Sequence, residues 1–134
     1  MPVIEWSDSF SVHDPEMDTQ HQRWIEIYNT MHDRLIEGSP ASVRTLARES
    51  LEAMRNYTLM HFMLEEEHMA DIGYPEIAAH AAIHRAFAAL LDDHILRIEK
   101  GELLLNTTLI SLVRDWLLDH ILEEDQKYAR FSRG

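Results

Sequence analysis

Four stretches of this chain repeat large side chains every three or four residues. The first, from about Asp18 to Glu37, carries His21, Trp24, Tyr28, Met31 and Leu35 on one stripe. The second, from about Ala41 to Ile72, carries Val43, Ala47, Ser50, Met54, Tyr57, His61, Leu64 and His68. The third, from about Glu76 to Glu99, carries Ile77, His80, His84, Phe87, Leu91, Ile95 and Ile98. The fourth, from about Thr107 to Tyr128, carries Leu109, Val113, Trp116 and His120. This is the period of an amphipathic helix, sustained four times. Short connections between such helices make neighbours antiparallel, so the pattern predicts an all-α, antiparallel up-down four-helix bundle.

The punctuation agrees. Gly38-Ser39-Pro40 stops the first stretch, with Ser39 read as the cap of the second and Pro40 at its first helical position. Gly73 and Gly101 close the second and third. Residues 1–17 read as an irregular arm whose Trp6 and Phe10 pack over one end of a bundle spanning 18–128. No repeat or linker divides the 134 residues, so 1–134 is expected to be a single domain.

Five histidines sit on these inward stripes where a bundle normally puts core hydrophobics: His21, His61, His80, His84 and His120. Two carboxylates accompany them, Glu65 four residues after His61 and Asp125 five after His120. At about 1.5 Å of rise per residue, all seven fall at one height in the bundle to within a turn or so. Buried polar groups need partners. The partner that satisfies imidazoles and carboxylates together is a metal ion. His80-x-x-x-His84 and His61-x-x-x-Glu65 each put two donors on one helical face. Asp125 is awkward, because five residues of ideal helix rotate it by about 140° from His120. The spacing therefore predicts a local loosening of the fourth helix after His120, such as a π-type turn. With imidazole and carboxylate donors, zinc, iron, copper and manganese all remain open.

Other features narrow the function classes. There are 24 acidic against 12 basic residues, a formal net charge of −12. That charge argues against nucleic acid and anionic membrane surfaces as partners. No run approaches the ~18 apolar residues of a membrane span, so no membrane insertion is expected. The N-terminus lacks the basic and apolar regions of a signal peptide. The absence of Cys excludes thiolate metal sites and disulfides and fits a cytoplasmic location. His13, His32, His68 and His94 read as surface or satisfied core histidines. Glu65-x-x-His68 mimics the Glu-x-x-His motif of ferritin-like di-iron proteins, but the second copy that such a site needs is missing. Glu66 and Glu67 read as solvated acids.

Several segments together resemble the bacterial hemerythrins. They are Asp18-Thr19-Gln20-His21, His61-Phe62-Met63-Leu64-Glu65-Glu66, Tyr74-Pro75 before His80-x-x-x-His84, and Trp116-Leu117-Leu118-Asp119-His120-Ile121 followed by Asp125. The resemblance runs through essentially the whole chain, including a Trp near the N-terminus. It implies two iron ions per chain, forming a non-haem di-iron centre that binds O2 reversibly. By motif, His80, His84 and His120 would hold one iron, and His21 and His61 the other. Glu65 and Asp125 would bridge both, with an oxo or hydroxo group as a third bridge. On that ligand count one coordination position stays open, on the iron with two histidines. Trp116, Leu117 and Ile121 match positions beside it, with Ile25 and Leu64 as further pocket candidates.

The expected function is O2 storage, delivery or scavenging by a non-enzymatic monomer, with a protein partner receiving O2. The alternatives are an O2- or redox-sensing module, and a di-iron peroxidase or nitric-oxide-handling enzyme. An enzyme would want a proton donor near the open position, and the matched walls are apolar.

Overall fold

A computed structural model describes residues 3–38, 43–102 and 106–133. The expected helical bundle is found. Helix α1 spans Pro15–Glu37, α2 Val43–Asp71 and α3 Ile77–Glu99. The fourth helix is continuous but built in three parts: α4 (Asn106–Asp119), a π-helical turn (His120–Glu124) and α5 (Asp125–Arg133). α1 packs against α2 and α4, and α2 against α3. The proposed cap at Ser39 and Pro40 lies outside the described residues.

Helix α1 begins three residues earlier than the apolar pattern suggests. Asp14 is its N-cap, its side chain accepting from Met17 N–H at 2.9 Å, and Pro15 occupies the first helical position. Pro15, expected in the arm, belongs to the helix. Gly73 and Gly101 do close α2 and α3, and by the same device. Each has positive φ, 72° and 87°. The next residue then reaches five back, Tyr74 N–H to Met69 O and Glu102 N–H to Arg97 O. The glycines themselves bond three back, to Ala70 O and Ile98 O, which completes a Schellman closure. At Gly101 a Cβ would also sit 2.6 Å from the Arg44 guanidinium.

The arm is tied down at both ends. Asn29 exchanges two hydrogen bonds with the backbone of Ile4. Asp18 accepts from the Ser11 hydroxyl and Val12 N–H, and Gln126 donates to Ser11 O.

The core comes in two parts. The larger contains Trp24, Ile25, Tyr28, Leu51, Met54, Phe62, Phe87, Leu91, Ile110, Val113, Leu117 and Ile121. The smaller contains Val12, Met17, Met69, Tyr74, Tyr128 and Ala129. Each large side chain fully buried contributes about 1.5–3 kcal/mol. On α1, α2 and α3 the residues between the two parts are polar: His21 between Met17 and Trp24, Glu65 between Phe62 and Met69, His80 and His84 before Phe87. The bundle is therefore divided by one polar layer.

Candidate metal centre

His21, His61, Glu65, His80, His84, His120 and Asp125 are each 3% exposed or less. α1 supplies His21. α2 and α3 each supply a pair one turn apart. The fourth helix supplies the pair whose spacing was awkward, and there its backbone is π-helical. Asp125 N–H bonds to His120 O, five residues back. The extra residue in that turn brings Asp125 round to the face that His120 occupies.

The two carboxylates divide the histidines into the same two sets. Glu65 Oε1 lies 3.0, 3.3 and 3.6 Å from Nε2 of His84, His80 and His120. Its Oε2 lies 3.0 and 3.4 Å from Nε2 of His21 and His61. Asp125 Oδ1 lies 3.0 and 3.1 Å from His120 and His80, and Oδ2 lies 3.2 Å from His21. Glu65 thus turns one oxygen to three histidines and the other to the remaining two, and Asp125 turns one oxygen to two members of the first set and the other to one member of the second.

The donor set fits metal ions on three counts. First, His120 Nε2 lies 3.2 Å from His80 Nε2 and 3.1 Å from His84 Nε2. Adjacent donors on one ion at about 2.1 Å stand about 3 Å apart. Second, both oxygens of Asp125 and Nε2 of His61 lack a hydrogen bond, although their neighbours are close. The contacts are short without being aligned as N–H···O bonds, as expected of lone pairs converging on a common point. Third, the donors gather into two groups that share Glu65: Glu65, His80, His84, His120 and Asp125, and His21, His61 and Glu65.

Electrostatics point the same way. Burial disfavours a proton on His21 and His80, but Asp125 and Glu65 outweigh it and raise both to about 9. The same contest raises His120 to about 10. At His61 burial wins and lowers it. Burial works against ionisation of Glu65, yet the surrounding imidazoles hold it well below the usual carboxylate range. Asp125 is opposed by burial and by Glu65, and His120 and His21 still hold it down. Two ionised carboxylates this deep require positive charge beside them. Protons on imidazole meet that need in the metal-free chain, and metal cations meet it when bound.

A further ring of contacts surrounds the donors. Tyr128 donates its phenol to Glu65 Oε2 at 2.9 Å. Burial and the Glu65 charge push that phenol well above its ordinary value. His61 Nδ1 meets Gln20 Oε1 at 2.7 Å, and His84 Nδ1 meets Glu66 Oε2 at 2.8 Å. Phe62 lies flat on the His84 ring at 3.7 Å between centroids and 2° between planes. Trp24 packs 4.9 Å from His61 and donates to Thr58. The reading of Glu66 as a solvated acid is therefore corrected: its side chain is 36% exposed, but it grips a buried histidine. Their spacing assigns Gln20, Trp24 and Tyr128 no part at the metal layer, although Tyr128 follows Asp125 by three residues.

The pocket candidates divide. Ile25, Leu117 and Ile121 are buried in the larger core, and Trp116 packs against it, stacked on His120 at 4.5 Å. Leu64 packs instead against the smaller core beyond the polar layer. None of the other four histidines joins the donor groups. His94 bonds Leu90 O, His32 pairs with Asp33, His68 edges onto Tyr128, and His13 accepts from Arg133.

The hemerythrin HHE cation-binding domain family matches residues 13–131. A bacteriohemerythrin of Stenotrophomonas maltophilia is 33% identical over 129 residues, covering 96% of this chain and 81% of that protein. A bacteriohemerythrin of Methylococcus capsulatus is 30% identical over 130 residues, covering 96% of each. The crystal structure of a wild-type hemerythrin aligns with a TM-score of 0.86 at 30% identity, covering 96% of this chain and 97% of the other.

Proposed function

The chain belongs to the hemerythrin family, whose members bind a di-iron centre, and from that premise we propose that it stores or delivers O2 by reversible binding. His80, His84 and His120 would hold one iron and His21 and His61 the other, with Glu65 and Asp125 shared between them. The observation that carries this reading is the division of the carboxylate oxygens: Glu65 faces His80, His84 and His120 with one oxygen and His21 and His61 with the other, and Asp125 faces His80 and His120 with one and His21 with the other. A bound iron pair supplies a reversible exchange of two electrons with O2.

What the chain's own residues do can be stated separately. The two-histidine set has fewer protein donors, so the exchangeable position belongs there. Trp24 packs against both of its rings, 6.2 Å from His21 and 4.9 Å from His61, and Trp116 packs 6.0 Å from Trp24. With Ile25, Leu117 and Ile121 these rings form a dry wall that excludes water and solvent protons. Trp24 Nε1–H is already engaged by Thr58, and the aliphatic wall residues have no proton to give. A wall of indole and aliphatic side chains offers no acidic proton, which favours carriage over peroxidase or nitric-oxide chemistry, which need proton delivery.

The test is anaerobic loading with Fe(II), a metal count per chain, and cycles of O2 and vacuum with the optical spectrum recorded. Two irons and a spectral change that reverses over many cycles support carriage. One iron per chain, or a change that never reverses after the first exposure, would remove this reading.

A further inference from the structure

We infer that Glu66 and Gln20 are positioning residues that make the two halves of the centre unequal: Glu66 backs His84 with a full negative charge, and Gln20 backs His61 with a neutral amide. The inference rests on the proposed division of the donors into a three-histidine and a two-histidine set.

The geometry is direct. Glu66 Oε2 lies 2.8 Å from His84 Nδ1, and an ionised carboxylate can only accept. His84 Nδ1 must therefore carry the proton. Its Nε2, which faces Glu65 Oε1 at 3.0 Å, is left as the nitrogen with a lone pair for metal. Gln20 Oε1, 2.7 Å from His61 Nδ1, imposes the same tautomer there. The two acceptors differ in charge, and a charged acceptor makes the opposite ring nitrogen a stronger donor. The backing is also selective. Nδ1 of His21 and of His120 is buried without any hydrogen-bond partner.

Both acceptors are held in place. The Tyr57 phenol donates to Gln20 O at 2.9 Å and so fixes the residue whose side chain meets His61. Glu66 stands in the wall of a surface recess of about 500 Å3, shared with Phe62, Met63, Arg85 and His84. The recess lets water solvate the carboxylate, so the charge is kept beside the centre without full burial. Phe62, flat on His84, stops the ring from turning away. The three-histidine set thus has more imidazoles and a carboxylate behind one of them. Bound to the same metal, it is the tighter half.

The test uses Zn2+, which is diamagnetic and needs no O2. Stepwise dissociation constants are measured by chelator competition for the full chain and for Glu66→Gln, Gln20→Glu and the double variant. Glu66→Gln keeps an oxygen acceptor and loses the charge. It should weaken the tighter step about 10-fold, at the low end of the 10- to 100-fold range for such partners, and leave the weaker step alone. Gln20→Glu should strengthen the weaker step by a similar factor. The double variant should close or reverse the gap. A purely structural role for Glu66 would leave Glu66→Gln like the parent in both steps, and that result would overturn the inference, as would equal shifts in both steps. Nitrogen-15 spectra of the metal-free chain give a second decision. Protons on Nδ1 of His61 and His84, with the His84 signal lost in Glu66→Ala, support the inference, and a His84 ring protonated on Nε2 with none on Nδ1 overturns it. Binding of a single Zn2+ by the parent would count against the two-set function itself, and the nitrogen spectra would still decide the role of Glu66.

Discussion

The Tyr128 phenol and the Glu65 carboxylate meet at 2.9 Å with both side chains wholly buried. The phenol donates to Oε2, the oxygen that faces His21 and His61. It therefore fixes which way the shared carboxylate is turned before any metal arrives. Tyr128→Phe keeps the ring and removes the donor. Hydrogen bonds to charged groups are worth about 1.5–3 kcal/mol, so the metal-free chain should lose about that much in urea unfolding. A loss under about 0.5 kcal/mol would show that the bond does not hold the carboxylate.

His61→Ala removes one of only two imidazoles in its set, while the other set keeps all three. One tight Zn2+ per chain should survive in the variant, and the second should be lost or weakened by more than about 10-fold. Equal weakening of both would contradict the partition of donors.

Acid and base should act in opposite senses on the metal-free and loaded chains. His21 and His80, at about 9, and His120, at about 10, stand above their unfolded value of 6.5. The folded chain then holds more protons than the unfolded one, and the stability this gives is complete below 6.5 and lost as pH rises through 9 to 10. Glu65 and Asp125 are held below their unfolded values of 4.5 and 3.8, so their contribution is present above those values and lost on acidification. His61, held down, opposes the trend at the acid end. The metal-free melting temperature should therefore decline from pH 6.5 to 10, with its maximum at mildly acidic pH. Zn2+ binding displaces those protons and should tighten over the same range. Melting curves with and without Zn2+ across that range check both slopes, and a metal-free chain that grows more stable toward pH 9 would refute the account.

Ile25→Thr places a hydroxyl in the dry wall at a site 3% exposed. The lost packing and the buried hydroxyl should cost about 1–3 kcal/mol of stability. Water drawn to the hydroxyl should shorten the life of the oxygenated, iron-loaded chain several-fold, read as irreversible spectral loss under O2. An unchanged lifetime at the expected stability cost would leave the wall a packing element alone.

Much of this was legible in the sequence because period and chemistry coincide. His21, His61, His80, His84 and His120 sit where a helical stripe must point inward, so a count of three and four residues finds them. Asp125 could be placed only by admitting that a regular helix turns it away, and the distortion is present where the count required it. Period does not report what a side chain touches on its neighbours. Glu66 follows Glu65 by about 100° on α2, which reads as solvent, yet α3 brings His84 Nδ1 within reach of it. Gln20 meets His61 across the contact of α1 with α2 for the same reason. Leu64 stands at the level of His61 and Glu65 on α2, but at about 100° from Glu65 it turns toward the smaller core. Asp14-Pro15 carried a cap and a first-turn proline, but the apolar repeat becomes visible only a turn later.

The π turn at His120–Glu124 does more than deliver Asp125. One additional residue in a turn resets the phase of everything that follows, so α5 displays a different angular register from α4. Tyr128 finds Glu65, Gln126 finds the backbone of Ser11, and Ala129 finds the smaller core, all in that shifted register. The last helix of the bundle is in effect two instruments on one shaft, the first tuned to the apolar wall and the second to the floor and the arm beneath it. Were this turn regular α-helix with the sequence unchanged, α5 would be rotated by about 100°, and the floor, the arm and the shared carboxylate would lose their partners in a single step.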